Sequence, residues 1–250
     1  MFSLEKRTAL VTGAATGLGQ AIAVGLSKAG CDVAVTDRPG VSLEETVKAC
    51  AAFGHRVFEA AMDVRDLDQI PRAIPELSGK LGGIDILVNN AGINRPKKGL
   101  EVDRENWDDH FNTNVRGGFF CAQAVVPAMI EKRFGRIIFI SSQSGLVGIP
   151  GQPVYCATKG ALVNMVRALG VEWAKYDITV NTVAPTFVET NLTRERLNKP
   201  EFRDFVLGKI PRGTLALPED ISSAVVYLAS DEAAMVNCFT LSVDGGWTAW

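Results

Sequence analysis

Hydrophobic positions along the chain fall into short β-branched runs separated by stretches of helical spacing, the pattern of a parallel sheet wrapped by helices. Residues 8–12, 32–37, 56–62, 84–89, 136–141, 178–183 and 239–243 predict seven strands. Helices are predicted at 18–29, at 43–53 with Ser42 as the N-cap, at 104–132, at 154–175 and at 219–229. Residues 186–212 lack clear periodicity and contain Pro200 and Pro211. So long a connection in a compact chain reads as a lid or substrate-binding loop. No repeat, low-complexity tract or linker interrupts the alternation, so residues 1–250 read as a single α/β domain.

Composition narrows the class. The 250 residues are 47% hydrophobic and 22% charged, enough for one large core. A net charge of −2 gives no sign of a nucleic-acid or membrane-surface partner. No stretch of about 18 unbroken apolar residues is present, so no membrane span is predicted. Lys6-Arg7 opens an apolar run, but Gly13, Gly17 and Gly19 interrupt it, unlike a signal peptide. The five cysteines are odd in number and show no Cys-x-x-Cys pair, which points to a reducing, cytoplasmic setting. With only His55 and His110, and no Gly-x-Ser-x-Gly elbow, a Ser-His-Asp hydrolase is not indicated.

Candidate chemistry sits at two places. Thr12-Gly13-Ala14-Ala15-Thr16-Gly17-Leu18-Gly19 joins the first strand to the first helix. Glycines there permit a tight turn and close backbone approach, and a helix N-terminus offers free N–H groups to a pyrophosphate. The spacing is Gly-x-x-x-Gly-x-Gly, not the general dinucleotide fingerprint. Asp37 ends the second strand, where a carboxylate accepts hydrogen bonds from an adenosine ribose and repels a 2′-phosphate. That favours NAD over NADP, although Arg38 could hold the phosphate if Asp37 turned aside.

The second place is Tyr155-Cys156-Ala157-Thr158-Lys159. Residues four apart share a helix face, so an ammonium can stand beside the phenol. A free tyrosine, with a pKa of about 10, is a poor base near neutrality. A neighbouring cation favours the phenolate and makes it a workable general acid or base.

The glycine turn, Asp63-Val64, Asn89-Asn90-Ala91-Gly92, Asn114, Ser142 thirteen residues before Tyr155, and Lys159 follow one another in this order. In this the chain resembles the short-chain dehydrogenase/reductase family over essentially its whole length. The resemblance implies a doubly wound Rossmann sheet of seven parallel strands, ordered 3-2-1-4-5-6-7 with helices on both faces, and a homotetramer. It implies that Gly13, Gly17, Leu18 and Gly19 flank the pyrophosphate, Asp37 the ribose, and Asp63 and Val64 the adenine. Asn90, Ala91 and Gly92 would pack along the cofactor, and Pro185, Val188 and Thr190 would hold the nicotinamide carboxamide. Tyr155 would exchange a proton with the substrate oxygen and Ser142 would hold that oxygen. Lys159 would lower the Tyr155 pKa and bind the nicotinamide ribose; Asn114 would anchor a water linking Lys159 to solvent. One departure is Pro185-Thr186 where the family has Pro-Gly; an ordinary backbone path is expected there.

Asn94, Arg95, Gln143, Gln152, Arg194, Arg196 and Lys199 fall in the loops expected to face the substrate. They suit a hydroxylated, carboxylated small molecule. The Asn-Asn-Ala-Gly-Ile-Asn-Arg run and the Asp244-Gly245-Gly246-Trp247 ending are similar to those of sugar-acid dehydrogenases of the family, such as 2-keto-3-deoxygluconate and gluconate 5-dehydrogenases. Two rivals stand beside this reading. A 3-oxoacyl-carrier-protein reductase using NADPH shares the catalytic residues, but Asp37 and the near-neutral charge oppose it. A silent nucleotide-sensing protein keeps the fold but would have lost Tyr155 or Lys159. Trp247 and Trp250 either pack into a subunit interface, the favoured expectation since exposed indoles invite association, or cover the last strand.

Overall fold

The computed structural model describes residues 2–190 and 193–249. Seven parallel strands form one sheet in the order β3-β2-β1-β4-β5-β6-β7. They are β1 Thr8–Thr12, β2 Asp32–Asp37, β3 Val57–Ala61, β4 Ile86–Asn89, β5 Gly135–Ile140, β6 Ile178–Pro185 and β7 Thr240–Val243. Helices α1 Gly17–Lys28, α2 Glu44–Ala51, α3 Ile70–Leu81, α4 Arg104–Phe111, α5 Gly118–Lys132, α6 Pro153–Trp173 and α9 Pro218–Ala229 fill the crossovers. Two further helices, α7 Arg194–Leu197 and α8 Pro200–Lys209, lie between β6 and α9.

The strands carry apolar residues in continuous runs because both faces are covered. Successive residues point to opposite faces. Leu10, Leu87 and Ile137 therefore pack with α3, α5 and α6 through Leu77, Val125 and Leu162. Their neighbours Val11, Val88 and Ile138 pack with α1 and α9 through Ile22, Leu26 and Val225. The strand order reverses direction between β1 and β4, and the crevice at the carboxyl ends of these two strands is where ligands enter such sheets.

Four local expectations are corrected. Residues 70–81, where no helix was predicted, form α3; Pro71 in its first turn and Pro75 within it look like breakers in sequence. Pro71 falls where a helix has no N–H partner to lose, and Ile70, Ile74, Leu77 and Leu81 are buried along one face. The helix expected over 104–132 is interrupted by a π-helical segment, Asn112–Gly117. Ser42 is not the cap residue of α2; Leu43 holds that place, and the Ser42 hydroxyl accepts from Glu44 N at 3.3 Å. Within the stretch expected to be an irregular loop, Arg194–Leu197 and Pro200–Lys209 form α7 and α8.

The expectation for the C-terminal tryptophans is also revised. Trp247 is buried within its own chain, packed with Ile149, Leu197, Val206 and Ile210 in a third apolar cluster. Its ring lies 5.6 Å from that of Phe187. The turn before it is tight: Gly245 and Gly246 have φ of 62° and 95°, and Arg212 N donates to Gly245 O at 3.1 Å. Trp247 thus fastens α7 and α8 to the sheet. Trp250 lies outside the described residues. Trp247→Ala is expected to cost about 3 kcal/mol of unfolding free energy by denaturant titration. It should also open residues 190–212 to limited proteolysis before the rest of the chain is cut.

Candidate active site

At the end of β1, Gly13 has φ 63°, and a Cβ there would stand 2.7 Å from Ala91 Cα. A Cβ on Gly19 would lie 2.1 Å from Gly13 O. Neither position can hold another residue without moving backbone. Asn90 closes the seam: its Nδ2 donates to Thr12 O at 3.0 Å and Gly13 O at 2.8 Å. Thr12 Oγ1 accepts from the Asn90 and Ala91 amides, both at 3.2 Å. The Asn-Asn-Ala-Gly run is therefore a clasp between the β1 and β4 turns.

Beside this clasp runs a cleft of about 550 Å³. Gly13, Gly17, Leu18, Gly19, Asp37, Asp63, Val64, Asn90, Ala91, Gly92, Ser142, Tyr155, Lys159, Pro185, Val188 and Thr190 all line it. Asn114 does not reach its wall. Sequence reasoning did not single out Thr113 or Ile140, which line it too. Thr186 Oγ1 and Thr113 Oγ1 are buried without a partner at its edge. Helix α1 enters the cleft with Thr16 as N-cap, no side-chain cap bond and no acidic residue in its first turn. Its free N–H groups and positive dipole end are therefore directed at an incoming anion. Uncapped amides, a turn with no room for side chains and unsatisfied hydroxyls together fit a dinucleotide.

The acidic residues divide the work. Asp37 Oδ2 accepts from Ala15 N at 3.1 Å and Oδ1 from Arg38 N at 2.9 Å, which fixes the carboxylate at the cleft wall. Asp63 is engaged by Arg65 through Nη2 at 2.7 Å, and this guanidinium holds its carboxyl below the usual range. Thr186 lies outside the left-handed region of backbone space, so the Pro185-Thr186 step follows the ordinary path expected of it.

At the far end, α6 brings Tyr155 and Lys159 to the cleft. Lys159 Nζ donates to Ile140 O at 2.7 Å and lies 5.6 Å from the centre of the Tyr155 ring. Ser142 Oγ accepts from Ser144 N at 3.1 Å and donates to Gln143 Oε1 at 3.0 Å. The turn after β5 is pressed against α6: a Cβ on Gly145 would lie 2.7 Å from the Lys159 carbonyl.

Asn114 sits in the π-helical segment, whose extra residue per turn re-aims a side chain. Its Oδ1 accepts from Ile93 N at 2.8 Å, and its Nδ2 donates to Ile93 O at 3.0 Å and Thr158 Oγ1 at 3.1 Å. Thr158 in turn donates to Tyr155 O at 2.9 Å. Asn114 and Thr158 thus tie the β4 loop to the turn of α6 that carries the tyrosine. The position of Thr158, beside Lys159 in the motif, was the available signal.

Burial dominates the ionisation of this pair. It pushes the Tyr155 phenol up to about 12; the Ser142 hydrogen bond pulls it down and Cys156 adds a small rise. Burial alone brings the Lys159 ammonium down to about 8. The lowering of Tyr155 by Lys159 expected from sequence is absent, because desolvation favours the neutral form of each group.

Of the loop residues expected to face a substrate, Asn94 and Arg95 line the cleft. The Arg95 guanidinium is paired with Asp109 at 2.5 Å. Gln143 is occupied with Ser142, and Gln152 meets Asn94. Arg196 stacks on Phe202, 4.2 Å from the ring centre, and it and Lys199 lie outside the cleft wall. No cluster able to hold a metal ion occurs among the described residues.

Comparison with known proteins decides the family. A family model described as enoyl-(acyl carrier protein) reductase matches residues 13–248. The chain belongs to the short-chain dehydrogenase/reductase family. It is 38% identical to 2-dehydro-3-deoxy-D-gluconate 5-dehydrogenase of Escherichia coli K12, over 99% of this chain and 98% of that one. It is 37% identical to the 3-oxoacyl-[acyl-carrier-protein] reductase FabG of Thermotoga maritima, over 97% of this chain and 98% of the other. The crystal structure of a gluconate 5-dehydrogenase from Burkholderia cenocepacia J2315, in complex with NADP and tartrate, superposes with a TM-score of 0.94 at 35% identity. It covers 100% of this chain and 98% of that one. No helix among the described residues is long and apolar enough to cross a membrane.

The depressed Lys159 value has a consequence for stability. In the unfolded chain Lys159 holds its proton to about pH 10.4, whereas the folded protein releases it near 8. Between these limits the unfolded state binds more protons, so the group contributes stability that increases as pH rises. The ligand-free protein should gain about 1 kcal/mol from pH 7 to pH 9 relative to Lys159→Met, measured by parallel denaturant titrations. Parallel curves for the two proteins would disprove the burial argument.

Proposed function

We propose that the protein is an NAD(P)-dependent dehydrogenase acting on a secondary alcohol, or the matching ketone, of a hydroxylated small acid of the sugar-acid type. One observation carries the reaction class: Tyr155, Ser142 and Lys159 converge at one end of a cleft whose other end is an uncapped helix N-terminus. A bound nicotinamide dinucleotide supplies the hydride acceptor or donor. The turn at Gly13, Gly17, Leu18 and Gly19 binds its pyrophosphate, Asp37 its ribose, and Asp63 and Val64 border the adenine. Asn90, Ala91 and Gly92 lie along it, and Pro185, Val188 and Thr190 hold its amide end.

The rest of the reaction belongs to the chain. Tyr155 takes the hydroxyl proton in oxidation and returns it in reduction. Ser142 holds the substrate oxygen; to donate to it, its hydroxyl must release Gln143. Lys159, tethered to Ile140 O, binds the nicotinamide ribose and gives the phenolate a cation once the cleft is filled. Asn114 anchors the water that connects Lys159 to solvent, its amide held by Ile93 and Thr158. Residues 186–212 form the substrate lid. Four such subunits form the working assembly, in the cytoplasm.

The sugar-acid reading is supported by the dehydrogenases to which the chain is similar and by the amides at the cleft mouth. The carrier-protein alternative needs unspent positive charge for an acidic partner. Arg65 and Arg95, which line the cleft, are each paired with a carboxylate. NAD is favoured by Asp37, whose fixed carboxylate repels a 2′-phosphate.

A screen of aldonic acids, deoxy-keto acids and polyols with NAD and NADP, read by reduced-nicotinamide absorbance, tests the substrate class; activity confined to 3-oxoacyl thioesters would overturn it. Tyr155→Phe should lower kcat by about 10²–10⁴-fold while dinucleotide binding persists. Asp37→Ser should raise the NADP-to-NAD ratio of kcat/KM by about tenfold or more, and an unchanged ratio would remove Asp37 as the discriminator.

A further inference from the structure

Three polar side chains at four-residue spacing, Asn106, His110 and Asn114, lie along α4 and the π-helical segment that continues it. All three are almost fully buried. Each is bonded to the main chain that leaves β4, and together they grip it at two shoulders. Asn114 takes both main-chain groups of Ile93, accepting from its N–H and donating to its carbonyl. At Arg95 the same two groups are divided between the other residues. Arg95 N donates to His110 Nε2 at 3.1 Å, and Asn106 Nδ2 donates to Arg95 O at 3.0 Å. His110 Nδ1 lies 2.6 Å from Asn106 O. Because Nε2 accepts, Nδ1 carries the proton and donates to that carbonyl. Both ring nitrogens are engaged, so the imidazole is fixed against its own helix.

The two shoulders serve different parts of the cleft. Asn90, Ala91 and Gly92, which would lie along the dinucleotide, come before the Ile93 shoulder. Asn94 and Arg95 come after it, and both line the cleft. Ser142, Tyr155 and Lys159 arise from the β5 turn and α6, not from this loop. Helix α4 therefore holds a segment of cleft wall that carries neither the cofactor contacts nor the proton-transfer groups. Asp109, on the same helix, adds a third hold by pairing with the Arg95 guanidinium.

The geometry points to His110 as a positioning residue for the substrate. Acting through the Arg95 main chain, it sets where Asn94 and Arg95 meet the bound molecule. This inference rests on the dehydrogenase reading and adds a residue to its substrate side. Without an acceptor at the Nε2 position the Arg95 N–H is left unpaired, which favours a shifted loop that restores its hydrogen bond. Asn106 and Asp109 still hold the segment, so it moves rather than melts. Contacts that bind ground state and transition state alike act on KM and leave kcat unchanged.

The test compares His110→Leu and His110→Gln with wild type on D-gluconate, using NAD and NADP, and titrates each protein with the dinucleotides. If gluconate is not turned over, the acid of the wider screen with the highest kcat/KM takes its place. His110→Leu is expected to raise KM for the acid about tenfold, with kcat and dinucleotide Kd within about threefold of wild type. His110→Gln keeps an acceptor of similar reach and should restore KM to within about threefold. Asn106→Ala, which frees Arg95 O, should raise KM in the same direction and carries the test if His110→Leu does not fold. A purely structural role would lower the unfolding temperature and the active fraction, hence kcat, at unaltered KM. That outcome overturns the assignment, as does a KM increase that His110→Gln shares in full; both leave the dehydrogenase reading standing. A wild type that turns over no acid of the screen overturns the substrate reading and this inference together.

Discussion

Everything in this cleft depends on how closely two stretches of backbone approach at the reversal of strand order. The β1 turn and the β4 turn meet with Gly13 against Ala91, at a separation that excludes a side chain. Asn90 then spends its amide on the carbonyls of Thr12 and Gly13. The contact does two things at once. It opens a groove along the carboxyl ends of the strands, and it leaves the first amides of α1 facing that groove without a cap.

The same economy of polar groups runs through the catalytic end. The Lys159 ammonium has a sheet carbonyl and no carboxylate, so burial weakens its charge, while the phenol beside it is pushed the other way. Near neutral pH the phenol keeps its proton and the ammonium still holds most of its own, so the pair carries a weakened positive charge. Asn114 and Thr158 keep the β4 loop and α6 in register meanwhile.

Much of this was readable from residues alone, and the exceptions share a cause. Strand positions followed from β-branched runs, and β1 and β2 agree with their predicted limits because both faces of those strands are buried. Tyr155, Lys159, Ser142 and the glycine turn came together because their chemistry is tied to fixed spacing. Helix α3 was hidden by Pro71 and Pro75, since local propensity speaks against it and only its packed face argues for it. The π-helical segment around Asn114 and the self-burial of Trp247 depend on partners distant in sequence, as does the dominance of burial over the Tyr155–Lys159 attraction. Pattern reading sees periodicity; it does not see which distant surface will cover a residue.

Gly145 limits how this site can evolve. With no space for a methyl group between the β5 turn and the Lys159 carbonyl, the turn and the helix behave as one solid piece. Tyr155 and Lys159 therefore cannot be re-spaced by small changes nearby; such changes displace both or neither. Helices α7 and α8 rest instead on a separate apolar pad, so they are not bound into that solid piece. A change in that pad would shift α7 and α8 without moving the turn that carries the tyrosine and lysine.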